Sequence, residues 1–511
     1  MRGELRQIHL CVLVLIGFFT SPAMPQSAST TAQRANRYLE SVRTQPPLVL
    51  AFLRDMPKGG DLHNHLGGAI YAEDLIDFAT KDHLCVDRAS LSLLPGPCDT
   101  ACSKDSAKPA VQCGYHDPDF YGSLIDAWSM RNWERGRESG HDHFFATFSK
   151  FASALDLHTG EAIADAMNQA AADHLQYLEL MHTVGGMESA MLGAKIGWND
   201  DFASMREKLL SGGLRDAIAH AGSDLDRDEK IAHNQLRCGT PSAAPGCRVT
   251  IRYLYQVLRG LAPEQVFAQI LMGFELASSD PRVVGLNLVM AEDWYLPIRD
   301  FDLHMKMLDY LRAIYPKVHI SLHAGELAMG LVPPESLTFH IRESVEVGHA
   351  ERIGHGVDVM YEHDPLQLLE EMAQRKVLVE ICLTSNDVIL GVKGNEHPFP
   401  IYRKHSVPVA LATDDEGVSR SDMTHEYLRA VETYNLSYSD LKYMARQSLE
   451  HSFLPGSSLW ADRQATRRVG ECPTTPAIAP AAACRKFLEA NEKARQQWQL
   501  EREFDDFEKR F

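Results

Sequence analysis

The order of apolar and polar positions repeats one unit along most of the chain: a short apolar run that stops abruptly, then a longer stretch with apolar residues every three or four positions. Runs of the first kind read as buried strands, and stretches of the second as amphipathic helices. The first strand lies in 58–69, framed by Gly59-Gly60 and Gly67-Gly68. Helical spacing over 144–175 leads into a strand at 177–183, and a helical crossover containing 202–236 leads into one at 249–254. Helices at 263–276, 302–315 and 335–347 precede strands at 283–289, 318–323 and 352–356. Asp364 is the expected N-cap, and Pro365 the first turn, of a helix at 365–375 that precedes a strand at 377–383. The last strand, 407–413, runs into Asp414-Asp415.

Eight strands, each followed by helical sequence, predict an α/β fold: a parallel (β/α)8 TIM barrel whose active site lies at the C-terminal strand ends. An open doubly wound sheet would carry a Gly-rich phosphate turn after its first strand. No such turn follows this one. The barrel is assigned to 56–450, after a signal peptide at 1–23 and an N-terminal helical segment at 24–55. A cysteine-bearing insertion at about 84–116 follows strand one. A C-terminal helical extension, 451–511, holds a Pro/Ala-rich loop at 472–484 and a charged amphipathic helix at 485–511.

Composition narrows the partners. The chain has 511 residues, 45% of them hydrophobic, and a formal charge of −18, which argues against nucleic acid or an anionic membrane as the main partner. A small molecule is the expected partner, and a homodimer is left open. Arg2 and Arg6, the apolar run 10–19 and Ser21-Pro22-Ala23 have the pattern of an export signal too short to span a bilayer, so a secreted or periplasmic location is expected. Cys11 lies inside that run without the small residues that precede a lipid-modified cysteine.

Export makes disulfides the default for the other cysteines. Cys238 is expected to pair with Cys247 and Cys472 with Cys484, with two more bridges among Cys85, Cys98, Cys102 and Cys113, where three connectivities are open. Cys382, inside an apolar run, reads as a buried free thiol.

Candidate chemistry gathers at the strand ends. Alternation puts His63 and His65 on one face of strand one. Ser321-Leu322-His323-Ala324-Gly325-Glu326 ends strand five with a histidine and carries a glutamate across a glycine turn; His355 ends strand six, and Asp414 and Asp415 end strand eight. Three imidazoles and one carboxylate suit zinc with an open coordination position. Strand four has no lysine to bridge a second ion, so one zinc per chain is expected. Trp128 and Trp133 suit either a substrate mouth or helix packing.

Together Pro57-Lys58 through His65, the run 321–326, Arg352-Ile353-Gly354-His355-Gly356, Leu383-Thr384-Ser385-Asn386 and Ala412-Thr413-Asp414-Asp415 resemble the adenosine deaminase family of metal-dependent aminohydrolases. The export signal and the insertion bring the chain nearest in appearance to the secreted, adenosine deaminase-related growth factor branch. The resemblance implies zinc held by His63, His65, His323 and Asp414. It implies that Glu326 donates a proton to the purine ring, that His355 orients and deprotonates the metal-bound water, and that Asp415 hydrogen-bonds water or ring. The implied activity is hydrolytic deamination of adenosine, and of 2′-deoxyadenosine, to inosine or its deoxy form and ammonia. The alternatives are another 6-aminopurine, or a catalytically silent extracellular binding protein on the same barrel.

Three positions depart from the family pattern: Gly67 replaces an aspartate that meets the ribose, Met181 an arginine, and Met290 a glycine whose backbone faces the purine. Trp128 and Glu292 are the expected replacements for the lost substrate contacts. The other zinc deaminases, with H-x-E before P-C-x-x-C, do not match: Cys98 and Cys102 are one residue too far apart, and His349-Ala350-Glu351 comes after them.

Overall fold

A computed structural model describes residues 30–134, 136–462, 464–473 and 480–511; the export signal expected at 1–23 lies outside them. Ten strands form: β1 (Gly59–His65), β2 (Cys85–Asp87), β3 (Ser92–Leu94), β4 (Leu175–His182), β5 (Thr250–Leu258), β6 (Val283–Val289), β7 (His319–Ala324), β8 (Arg352–His355), β9 (Leu378–Ile381) and β10 (Val409–Leu411). β2 and β3 make a small antiparallel hairpin, and the other eight form one sheet in the order β1-β4-β5-β6-β7-β8-β9-β10. Every recorded pairing in that sheet is parallel. This is the (β/α)8 TIM barrel, and the eight predicted strands are its eight staves.

The barrel closes at a functional position. A bridge joins Asn64 to Asp414, with the Asp414 amide donating to His63 O at 2.8 Å and the His65 amide to Asp414 O at 3.1 Å. Both seams of the ring therefore end on residues singled out in the sequence.

Apolar runs became strands because both of their faces are buried, one in the barrel interior and one under helices. Leu178, Leu180, Leu286, Ile320, Ile353 and Val379 are each at most 2% exposed. Burying a side chain of this size stabilises by roughly 1.5–3 kcal/mol. Charges interrupt the pattern inside the barrel, where Glu179, Arg352 and Glu380 are fully buried. Arg352 Nε lies 2.6 Å from Glu380 Oε1, and its NH2 lies 2.6 Å from Glu179 Oε2. The Phe453 ring stacks 3.9 Å under the guanidinium. Removing one member would strand a buried charge, at about 3–5 kcal/mol.

Several local expectations are corrected. The helical stretch 144–175 is two helices, Gly140–Phe151 and Thr159–Ala172. Asp364 holds the N-cap position, but at φ 47° its side chain makes no capping hydrogen bond. The helix expected from 335 starts at His340, after a 3-10 turn. The C-terminal tail is two helices, Ala482–Ala490 and Glu492–Glu508, because Asn491 takes extended dihedrals between them. The second packs under the N-terminal ends of β4 and β5, with Gln496 bonded to Gln176 and to Thr250.

Among the three connectivities open in the insertion, the fold takes Cys85–Cys98 and Cys102–Cys113. Cys238–Cys247 and Cys472–Cys484 are bridged as expected, and Cys382 is free and buried. Among the described residues no helix is long and apolar enough to cross a membrane.

Candidate active site

At the C-terminal end of the barrel four side chains converge. His65 Nε2 lies 3.2 Å from His323 Nε2 and 3.2 Å from Asp414 Oδ1, which is 3.3 Å from His63 Nε2. The other nitrogen of each imidazole faces an oxygen: His63 Nδ1 meets Glu380 Oε2 at 2.7 Å, His65 Nδ1 meets Gln256 Oε1 at 2.9 Å, and His323 Nδ1 meets Asn287 Oδ1 at 2.8 Å. Each Nδ1 must donate, so in the neutral rings all three Nε2 lone pairs point at one spot beside a carboxylate. Such lone pairs repel unless a cation lies among them. The donor set is that of a zinc site, and the oxygens behind the rings are the supporting partners such a site uses. A proton is the competitor: burial opposes it, but hydrogen bonds to Asp414 and Glu380 outweigh burial and bring His63 up to about 10.

Beside this set stand Glu326, His355 and Asp415, all buried. Burial, with Asp414 and Glu292 adding to it, holds the Glu326 carboxyl well above the usual range and so favours its protonated form. Burial also lifts Asp415 to about 7, and its Oδ1 has no partner. Gly68 makes room for it, since a Cβ there would come within 1.6 Å of Asp415 Oδ1.

A relay that the sequence did not reveal fixes the tautomer of His355. The Phe399 amide donates to His397 Nδ1 at 3.1 Å, so His397 carries its proton on Nε2 and donates it to Asn386 Oδ1 at 3.0 Å. The Asn386 amide group then donates to His355 Nδ1 at 2.9 Å. His355, which burial takes down to about 3, is therefore neutral and presents Nε2–H to the site, 3.8 Å from both Glu326 Oε1 and Asp414 Oδ2. A ring in this state donates a hydrogen bond and has no lone pair facing a water. The deprotonating part of the role expected of His355 does not fit this geometry.

Glu292 and Trp128 are also relocated. Glu292 is fully buried and accepts the backbone N–H groups of Gly325 at 3.1 Å and Glu326 at 2.8 Å, with His340 Nδ1 at 2.5 Å. Burial alone would raise its carboxyl, but His340 and Arg259 bring it down to about 2, so it is the anion that holds the Glu326 turn. Trp128 is buried in the core with its indole N–H on Leu91 O at 2.7 Å. Neither residue is part of the cavity wall.

That cavity has a volume of about 480 Å³, with His65, His323, Glu326, Asp414 and Asp415 at its floor. Phe144, Phe145 and Phe148 line it from the helix Gly140–Phe151, together with Leu258, Met290 and Trp294, whose ring lies 5.9 Å from that of Phe145. Three residues around the site, Met290, His355 and Asp414, have φ of 82°, 69° and 62°, conformations that a side chain disfavours. Such strain costs about 1–3 kcal/mol per residue and concentrates at functional sites. Met290, where the sequence departs from the family pattern, thus holds a backbone conformation that favours glycine.

The contributors missed in the sequence are Glu380, Gln256, Asn287, Asn386 and His397. Glu380 carries a signal as a charge inside an apolar run, and Asn386 stands in the motif Leu383-Thr384-Ser385-Asn386, though without a role read for it.

A family model described as "Adenosine deaminase" matches residues 216–460, a span that includes His323, Glu326, His355, Asp414 and Asp415. An adenosine deaminase of Mycobacterium sp. (strain KMS) is 29% identical over 306 residues, covering 55% of this chain and 76% of the relative. One from Clostridium perfringens (strain ATCC 13124) is 33% identical over 135 residues, 26% of this chain and 37% of the relative. Among solved structures, an amidohydrolase from Burkhoderia ambifaria with bound zinc aligns with a TM-score of 0.51 at 16% identity, over 80% of this chain and 88% of that one. An Arabidopsis ADAL complexed with IMP aligns with a TM-score of 0.50 at 19% identity, over 78% and 93%. At these identities the two structures speak for the fold. By its family model and its curated relatives, the chain is similar in sequence to adenosine deaminases.

Proposed function

We propose that this protein is a zinc-dependent aminohydrolase that converts adenosine, and 2′-deoxyadenosine, to the corresponding inosine and ammonia. The observation that carries this reading is the pairing of two unlike halves on one cavity floor. A four-donor cation set lies beside Glu326, a buried carboxyl whose protonated form is favoured.

Held by His63, His65, His323 and Asp414, one zinc per chain would supply a water acidified enough to attack near neutral pH. The remaining steps belong to the chain's own side chains. Glu326 delivers its proton to the ring nitrogen next to the carbon under attack, so that negative charge does not build up on the ring. His355 donates its Nε2 hydrogen to the attacking oxygen and fixes its direction. Asp415, held at about 7 by burial and with a free oxygen, takes one proton from the water and returns it to the leaving amine. The proton left on the hydroxyl passes to the Glu326 carboxylate as the C=O forms and ammonia departs. Asn386 and His397 set His355, and Glu292 sets Glu326; none of the three touches the substrate.

Export belongs to the same proposal. Four disulfides in one chain fit an oxidising compartment, in line with the basic and apolar pattern of the first residues. Cell fractionation of the full chain, against a chain lacking 1–23, tests this, and retention in the cytoplasm would contradict it.

The test of function is ammonia release from adenosine, 2′-deoxyadenosine and adenine by the purified protein, before and after chelation and with zinc restored. Turnover that follows zinc supports the reading. A chelated protein with full activity would remove it.

A further inference from the structure

We propose that the preferred substrate is an adenine nucleoside with an apolar group at its 5′ position, in place of a hydroxyl or a phosphate. This inference rests on the deaminase reading above and concerns the part of the substrate that the chemistry does not touch.

Glu326 and Asp415 line the cavity together with the candidate ligands His65, His323 and Asp414. The amidine carbon must sit there, so the N9 side of the purine, with whatever it carries, faces the upper walls. Those walls are aromatic and aliphatic: Phe144, Phe145, Phe148, Leu258, Met290 and Trp294, with the Phe145 and Trp294 rings 5.9 Å apart. The two polar residues of the upper wall are already engaged. Gln256 accepts from His65 Nδ1 and donates to Thr183 Oγ1 at 3.0 Å, and the Ser149 hydroxyl donates to Ala146 O at 3.0 Å.

Gly67 adds a second, independent observation. It lines the same cavity, and a Cβ built on it would meet only Leu155 Cδ1, at 3.6 Å, an ordinary contact. The position has room for a side chain, yet the chain places none there, and no carboxylate from residue 67 reaches toward a sugar hydroxyl.

Physical chemistry ranks the possible 5′ groups on such walls. A phosphate would surrender hydration with no lysine or arginine on the lining to receive it. A hydroxyl would find only Gln256 and Ser149 as polar side chains on walls that are otherwise apolar. An alkylthio or methyl group would gain by leaving water for the aromatic faces. A sulfur near aromatic edges makes favourable contacts of its own.

The test is a substrate series on the zinc-loaded wild-type protein: adenosine, 5′-deoxyadenosine, 5′-deoxy-5′-methylthioadenosine and adenosine 5′-monophosphate, compared by kcat/KM. The 5′-methylthio compound is expected to exceed adenosine by about tenfold, within the range one buried apolar group supplies. The monophosphate is expected to fall below adenosine by roughly 100-fold or more, as for a charge buried without a partner. Dissociation constants of the same four compounds on Glu326→Gln should follow the same order. They read the walls without requiring turnover, so the ranking is tested even if the chemistry is misassigned. If binding follows this order and no compound releases ammonia, the wall assignment stands and the deaminase reading fails. If the monophosphate is processed or bound as well as adenosine, or the methylthio compound is poorer than adenosine, the inference is overturned. Phe148→Lys should shift the monophosphate-to-adenosine ratio upward by about tenfold, since it places a cation on the wall; an unchanged ratio would also count against the inference.

Discussion

Glu292 Oε2 accepts the backbone N–H of Glu326 at 2.8 Å, so one buried carboxylate fixes the chain at the point where another must carry a proton. The two acids are separated in function by their partners. Glu292 is ionised by His340 and Arg259, whereas burial and the negative charges around Glu326 favour its protonated form.

Glu292→Ala should therefore impair catalysis without removing the metal. It leaves the Gly325 and Glu326 amides and the His340 ring without their acceptor, each lost bond costing about 1–3 kcal/mol when buried. The expected result is a lower melting temperature and a fall in kcat of tenfold or more, with zinc content unchanged. Melting curves, metal analysis and steady-state rates separate these effects.

Asn386→Asp tests the tautomer of His355. The new carboxylate keeps the shape of the amide but can only accept, so His355 must put its proton on Nδ1 and turn a lone pair toward the site. Turnover should fall by about 10² or more, with the metal retained. ¹⁵N shifts of His355 should move from the Nε2–H pattern in the wild type to the Nδ1–H pattern in the variant.

A latch at the cavity mouth gives a pH prediction. His141, on the helix that carries the three phenylalanines, lies 2.8 Å from Asp293 in the loop after β6. Burial opposes the imidazolium, but hydrogen bonds to Asp293 and then Asp142 outweigh it, so the folded pKa is raised above 6.5. A raised pKa means that the pair's stabilisation is fully present below the unfolded value and is lost as pH rises through the folded one. The stability gap between wild type and Asp293→Asn, about 1 kcal/mol at most, should be largest near pH 6 and shrink above it. Melting temperatures of both proteins across pH test the sign, and a gap that widens with pH would contradict it.

The barrel is legible in the sequence because strands buried on both faces become short, mostly apolar runs, as in Val283–Val289, whose one polar side chain, Asn287, is the partner of His323. Several candidate site residues are legible from their places: His65, His323, His355 and Asp414 stand at or just past the end of a strand. What supports them is not legible. Asn386 and His397 touch only after the segments between them fold back, and Gln256 meets His65 across 191 positions of chain. Glu179, Arg352 and Glu380 do leave a trace, as single charges inside apolar strands, and each has its opposite charge in another strand. Glu292 misleads because it sits beside the strand end that faces the cavity, yet its side chain turns away toward His340 and a backbone turn.

The central claim is that Glu326 is a proton donor beside a cation site and not a member of it, and Glu326→Gln tests this most directly. Glutamine keeps the shape and the hydrogen bonds and removes the transferable proton. Measured together on the purified variant, zinc should remain at one per chain while ammonia release from adenosine falls by about 10² to 10⁴. Loss of zinc from the variant, or turnover near that of the wild type, would contradict the account.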